Sequence, residues 1–132
     1  MRDLRNDRMR RTGVREERLR ATAGLRSSST LSSWRGHSGR RYIVGVHPLN
    51  EAELLEVTDA VILAVKRDRT GTGIVVDAAM AAADPSEGTR MRWLGKVRER
   101  GATELHIHRL AATEAERRAI FEDLRENETQ VS

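Results

Sequence analysis

Ala60-Val61-Ile62-Leu63-Ala64-Val65 and Ile74-Val75-Val76-Asp77-Ala78 are two short apolar runs, separated by Lys66-Arg67-Asp68-Arg69-Thr70-Gly71-Thr72-Gly73. Runs of this length, rich in β-branched residues and bounded by turn formers, read as strands. Thr70 to Gly73 supplies the turn, because glycine takes positive φ without steric cost. The pair is expected to form a hairpin, with Lys66-Arg67-Asp68 leading out into solvent.

Outward toward the N-terminus, Tyr42-Ile43-Val44-Gly45-Val46-His47 is a further strand, closed by Pro48. Asn50-Glu51-Ala52-Glu53 places an N-cap three residues before a Glu and opens a short helix to about Val57, burying Leu54 and Leu55. Toward the C-terminus, Pro85 can stand in the first turn of a helix from about Ser86 to Arg100, which stops at Gly101. Its apolar stripe is Met91, Leu94 and Val97, with Trp93 at the margin. Thr103 to Arg109 alternates with period two and reads as a half-buried strand. Thr113-Glu114-Ala115-Glu116 is a second capping box, opening a helix with Ile120, Phe121 and Leu124 as its stripe.

The order βαββαβ predicts an α+β fold, a ferredoxin-like sandwich with an added C-terminal helix. The alternative is a three-layer α/β fold in which the two central strands do not pair. Order is expected over residues 41–126 as a single α/β domain, with a flexible tail at 127–132. About 85 ordered residues build one modest core, so a homodimer is a natural expectation.

Residues 1–40 differ in kind. They carry eleven Arg, no Lys and four acidic residues, a balance of +7, whereas the other 92 residues carry 13 basic and 16 acidic groups, a balance of −3. Their apolar residues are scattered, and Ser27 to Ser33 is followed by Gly36 and Gly39. Such a segment buries too little to offset the entropy of ordering it, and it is expected to be a disordered Arg/Ser-rich arm and linker. Its arginines, among them Arg2, Arg5, Arg8, Arg10, Arg11, Arg15, Arg18 and Arg20, could neutralise phosphates and add salt-sensitive contact with nucleic acid. Trp34 stands out as an aromatic in this basic segment.

The 132-residue chain has no cysteine, which removes disulfides and thiolate metal sites. No apolar run reaches membrane-spanning length and no apolar signal core follows the first basic residues, so no membrane association is expected and a cytoplasmic location is the default. Gly71-Thr72-Gly73 precedes a strand, whereas a phosphate-cradling loop follows one and opens a helix. One Tyr, one Phe and two Trp are too few for a base-stacking sheet.

The histidines are the chemical candidates. Glu104, His106 and His108 share one face of their strand, and Ile43, Gly45 and His47 share one face of theirs. In a ferredoxin-like sheet these strands are antiparallel neighbours, which could set His47 beside His106, with His108 two residues along and Asp77 completing a set. Imidazoles so placed could ligate zinc or another divalent ion, or act in acid–base chemistry on a phosphate. The competing account makes them polar residues on the open face of a sheet, with no cofactor. His106-Ile107-His108 also resembles the His-hydrophobic-His element of the HUH nucleases. Those enzymes need a tyrosine, usually on a helix, and the only tyrosine here, Tyr42, falls on a strand, which excludes the assignment.

Three functions remain open: a small non-catalytic binding or regulatory module for an unknown protein or nucleic-acid partner, a metal- or histidine-dependent hydrolase using His47, His106 and His108, and a homo-oligomeric structural unit burying a sheet face through Ile43, Ile62 or Val75.

Overall fold

A computed structural model describes residues 13–18, 30–81 and 86–125. They form six strands and three helices: β1 (Arg15–Arg18), β2 (Thr30–Arg35), β3 (Arg41–Pro48), α1 (Glu51–Glu56), β4 (Ala60–Arg67), β5 (Gly73–Ala81), α2 (Glu87–Glu99), β6 (Glu104–His108) and α3 (Glu114–Leu124). All strand pairings are antiparallel, in one curled half-barrel sheet of order β1-β2-β3-β6-β4-β5.

The local signals correspond to local structure. The Asn50, Ser86 and Thr113 side chains accept from the backbone N–H groups of Glu53, Thr89 and Glu116 at the three helix starts. Helix α2 ends in a Schellman motif: Gly101 at φ 101° donates to the Arg98 carbonyl, Ala102 donates to that of Val97, and Ala102 packs with Val97. The β4–β5 hairpin is formed. The Asp68 carboxylate accepts from Thr70 and Thr72 across the turn and is held below its ordinary pKa, chiefly by the Thr70 hydroxyl.

The ferredoxin-like expectation is overturned. That fold would set β3 between β6 and β5, whereas here β6 lies between β3 and β4. Local pattern does not choose strand order; long-range pairing does. The six residues Ala60 to Val65 are all buried, as befits an inner strand covered on both faces. The disordered-arm expectation is corrected as well, because β1 and β2 fall inside residues 1–40 and extend the same sheet. Their serines are partnered polar positions: Ser32 Oγ donates to Glu16 at 2.7 Å and Ser33 Oγ to the Glu17 carbonyl at 2.6 Å. Residues 1–12, 19–29, 82–85 (with Asp84 and Pro85) and 126–132 lie outside the described residues.

The inner face of the sheet is filled by Trp34, Tyr42, Val44, Val61, Leu63, Val65, Val75 and Ala78 and closed by Leu124, Ile120 and Phe121 of α3. The outer face over β4, β5 and β6 is covered by α1 and α2 through Leu54, Val57, Leu94 and Val97. Among the described residues no helix covers the outer face over β2 and β3, where Leu31 is 39% and Ile43 44% exposed. No helix among the described residues is long and apolar enough to cross a membrane.

Candidate functional site

Partners across a sheet share a face, so the register decides which histidines meet. In the β3–β6 pairing Val46 is opposite His106 and His47 is opposite Leu105. This is one residue from the expected alignment, and a slip of one residue moves every side chain to the other face. His106 and His108 therefore point inward, toward Leu63 and Val61 of β4, while His47 points outward. A bulge between Ala64 and Val65 turns Asp77 outward too, where it accepts from Trp93 Nε1 at 2.8 Å. The four candidate ligands are thus divided between two faces, and among the described residues no group of three or more His, Asp or Glu could hold a metal ion.

His106 is fully buried rather than on an open face. Trp34 Nε1–H, which can only donate, reaches its Nδ1 at 2.9 Å; its Nε2–H donates to Glu104 at 2.8 Å. Both ring nitrogens are used, and the neutral tautomer with hydrogen on Nε2 is the one that fits. Burial lowers the His106 pKa, and the nearby Glu104 and Glu16 carboxylates only partly oppose it.

Glu104 is in turn clamped by Arg67, whose Nη2 lies 2.9 Å away; the same guanidinium bonds Glu16 of β1. Arg67 is thus drawn into the cluster rather than leading out into solvent, with 20% of its side chain exposed. Burial pushes both carboxylates up in pKa, and the Arg67 bonds outweigh it, with Ser32 adding at Glu16 and His106 at Glu104, so both stay below the ordinary range. Glu16 and Arg67, near opposite edges of the sheet, hold one end of the half-barrel together.

His108 lines a cleft of about 660 Å³ between β3 and α3, with Ser38, Arg40, Tyr42, Leu110 and Asp123 among its walls. The Ile43 carbonyl accepts from Nδ1 at 2.8 Å, so the neutral ring carries its hydrogen there and Nε2 is an acceptor. Tyr42 packs edge-on against the ring and donates to Asp123 at 2.7 Å.

On this outer face a second depression, also about 660 Å³, is lined by Leu31, Ile43, Gly45, His47, Glu53, Ile107, Arg109 and Leu110. The Asn50 cap fixes the first turn of α1, and Glu53 in that turn sets Oε1 3.1 Å from His47 Nδ1. His47 Nε2 then overhangs Gly45: a Cβ at that glycine would stand 3.3 Å from Nε2 and 3.9 Å from Arg109 Nη1. Gly45, Glu53 and Arg109 are site residues that the sequence did not single out. Glu53 was visible as a capping residue, and an isolated glycine inside a strand was the available signal for the opening.

Of the arm arginines, Arg15 and Arg18 lie in β1, and Arg15 sits 3.4 Å from Glu17. Arg2, Arg5, Arg8, Arg10, Arg11 and Arg20 are outside the described residues. Trp34, expected in a disordered segment, is instead a fully buried side chain of the inner core.

No family model matches the chain, and no curated protein or solved structure matches it.

Proposed function

We propose that the protein is a small non-catalytic binding module whose binding surface is the outer-face groove over β2, β3 and the end of β6. The observation that carries this is the opening at Gly45, bordered by the polar tips of His47 and Arg109 and floored by apolar side chains. A concave apolar surface with a few converging polar groups is the form of a ligand site. Among the described residues that line the groove there is no thiol and Thr30 carries the one hydroxyl, which suits recognition better than nucleophilic chemistry. Arginines of the N-terminal segment would add salt-dependent affinity if the partner is a polyanion.

The hydrolase alternative keeps one supporting observation, the acceptor Nε2 of His108 facing the inner cleft. His106 cannot join it without giving up a bond to Trp34 or Glu104. The oligomer alternative keeps Ile43 alone, since Ile62 and Val75 are buried.

The test is a titration of the ¹⁵N-labelled protein with benzyl alcohol as a neutral apolar probe, followed by amide shifts. Shifts gathered at Leu31, Ile43 and Gly45 support the groove. Shifts confined to the His108 cleft, or none at all, overturn it.

A further inference from the structure

We infer that the groove takes a phosphate monoester bearing an apolar group. The phosphoryl oxygens sit over Gly45 between His47 and Arg109, and the apolar part lies along Leu31, Ile43 and Leu110. This rests on the groove being the binding surface and adds the chemistry of its occupant.

Three features point to an oxyanion. First, at the point where a Cβ on Gly45 would stand, the nearest atoms of other residues belong to His47 (Nε2 at 3.3 Å) and Arg109 (Nη1 at 3.9 Å), so an imidazole and a guanidinium from different elements converge over one backbone position. Second, the Arg109 side chain is exposed and has no hydrogen bond or ion pair among the described residues, so an incoming anion displaces no internal partner. Third, the groove's own carboxylate, Glu53, sits at the far nitrogen of His47. Beside a bound phosphoryl group an imidazolium at this position would be matched at both nitrogens, by Glu53 at Nδ1 and by a phosphoryl oxygen at Nε2, the charge-assisted geometry of phosphate recognition.

The tetrahedral phosphoryl group suits donors approaching from two sides, with Arg109 engaging two oxygens and His47 a third. The floor restricts what is attached to it. Leu31, Ile43 and Leu110 are 39%, 44% and 70% exposed, which leaves an apolar strip beside the gap for an aryl or alkyl substituent. A free inorganic phosphate would use the gap and leave that strip wet.

The measurement is an amide and imidazole NMR titration with phenyl phosphate, inorganic phosphate and benzyl alcohol, on the full chain and on G45A, R109Q and H47Q. Phenyl phosphate is expected to shift Gly45, the His47 ring and Ile43 together and to bind more tightly than either other probe. R109Q and H47Q should each weaken it about tenfold, the scale of one lost hydrogen bond to a charged group. G45A replaces an in-strand glycine and is expected to keep the fold while filling the gap, abolishing the phosphoryl contribution and leaving benzyl alcohol binding intact. Equal affinity of G45A for phenyl phosphate overturns the inference. Benzyl alcohol binding at Ile43 with phenyl phosphate bound no more tightly also overturns it while the groove stands, and binding of none of the probes removes both.

Discussion

The indole N–H of Trp34 donates to Nδ1 of His106 across 2.9 Å, joining residues 72 positions apart in a fully buried contact. This bond ties β2 to β6 and fixes the imidazole that faces Glu104. It also makes the N-terminal strands part of the core and gives the groove its wall at Thr30 and Leu31.

Acid should unlock this network in two stages. Burial lowers the His106 pKa below its ordinary 6.5. The unfolded chain therefore takes up that proton before the folded one, and stability falls as pH drops below about 6.5. A second loss follows below the ordinary carboxylate values, because Glu16, Glu104 and Asp123 are all held lower in the fold. Thermal midpoints measured from pH 8 to 3.5 should show both steps, and H106Q should lack the first. A midpoint that rises between pH 7 and 5.5 would contradict the neutral His106.

Removing Arg67 leaves two partly buried carboxylates facing one another without their cation. R67A is expected to cost about 3 kcal/mol by urea denaturation, with R67K intermediate because an ammonium cannot reproduce the two-sided fork. A loss below about 0.5 kcal/mol would mean that the pairs are no better than exposed ones.

The β2–β3 turn docks on the last turn of α3. Asp123 accepts from the Ser38 backbone and hydroxyl and from Tyr42, and its carbonyl accepts the His37 N–H. A Cβ at Gly36 would stand 2.6 Å from Asp123 Cγ and 2.8 Å from its carbonyl oxygen. G36A should therefore cost about 1–3 kcal/mol and loosen the end of α3, read as faster amide exchange over Ile120 to Leu124. Unchanged exchange there would refute the docking.

Arg90 is buried between α1 and α2 with Nη1 bonded to the Leu54 carbonyl, while its Nη2 is buried without a hydrogen-bond partner among the described residues. Burial lowers its pKa, as expected for a charge with little compensation. R90M should be neutral or stabilising by up to about 1 kcal/mol, because the apolar stem is kept and the Leu54 carbonyl still accepts from Val57. A loss of about 3 kcal/mol in chemical denaturation would show that the guanidinium is compensated.

What could be read in advance was local. The caps at Asn50 and Thr113, the stop at Gly101 and the β4–β5 hairpin each depend on a few neighbouring residues and physical preferences that act at short range. The alternation of β3 and β6 also assigned His47 and His106 correctly within their own strands. Which face of β6 would be covered depended on where α3 docks, and the strand order depended on distant pairings. Trp34 escaped because its neighbours Ser32 and Ser33 look like linker residues until Glu16 and the Glu17 carbonyl are there to accept their hydroxyls. Gly36 and Gly39, between Ser32-Ser33-Trp34-Arg35 and Arg41-Tyr42-Ile43-Val44, were the legible hint of a hairpin.

The most direct test of the whole account is hydrogen exchange at the Trp34 indole, followed by ¹⁵N NMR near neutral pH. The structure predicts an Nε1–H protected to nearly the same free energy as the slowest amides of β4 and β6, with its shift perturbed in H106Q. Exchange at the rate of a free indole would contradict the burial of β2 in the core, and would remove with it one wall of the proposed binding groove.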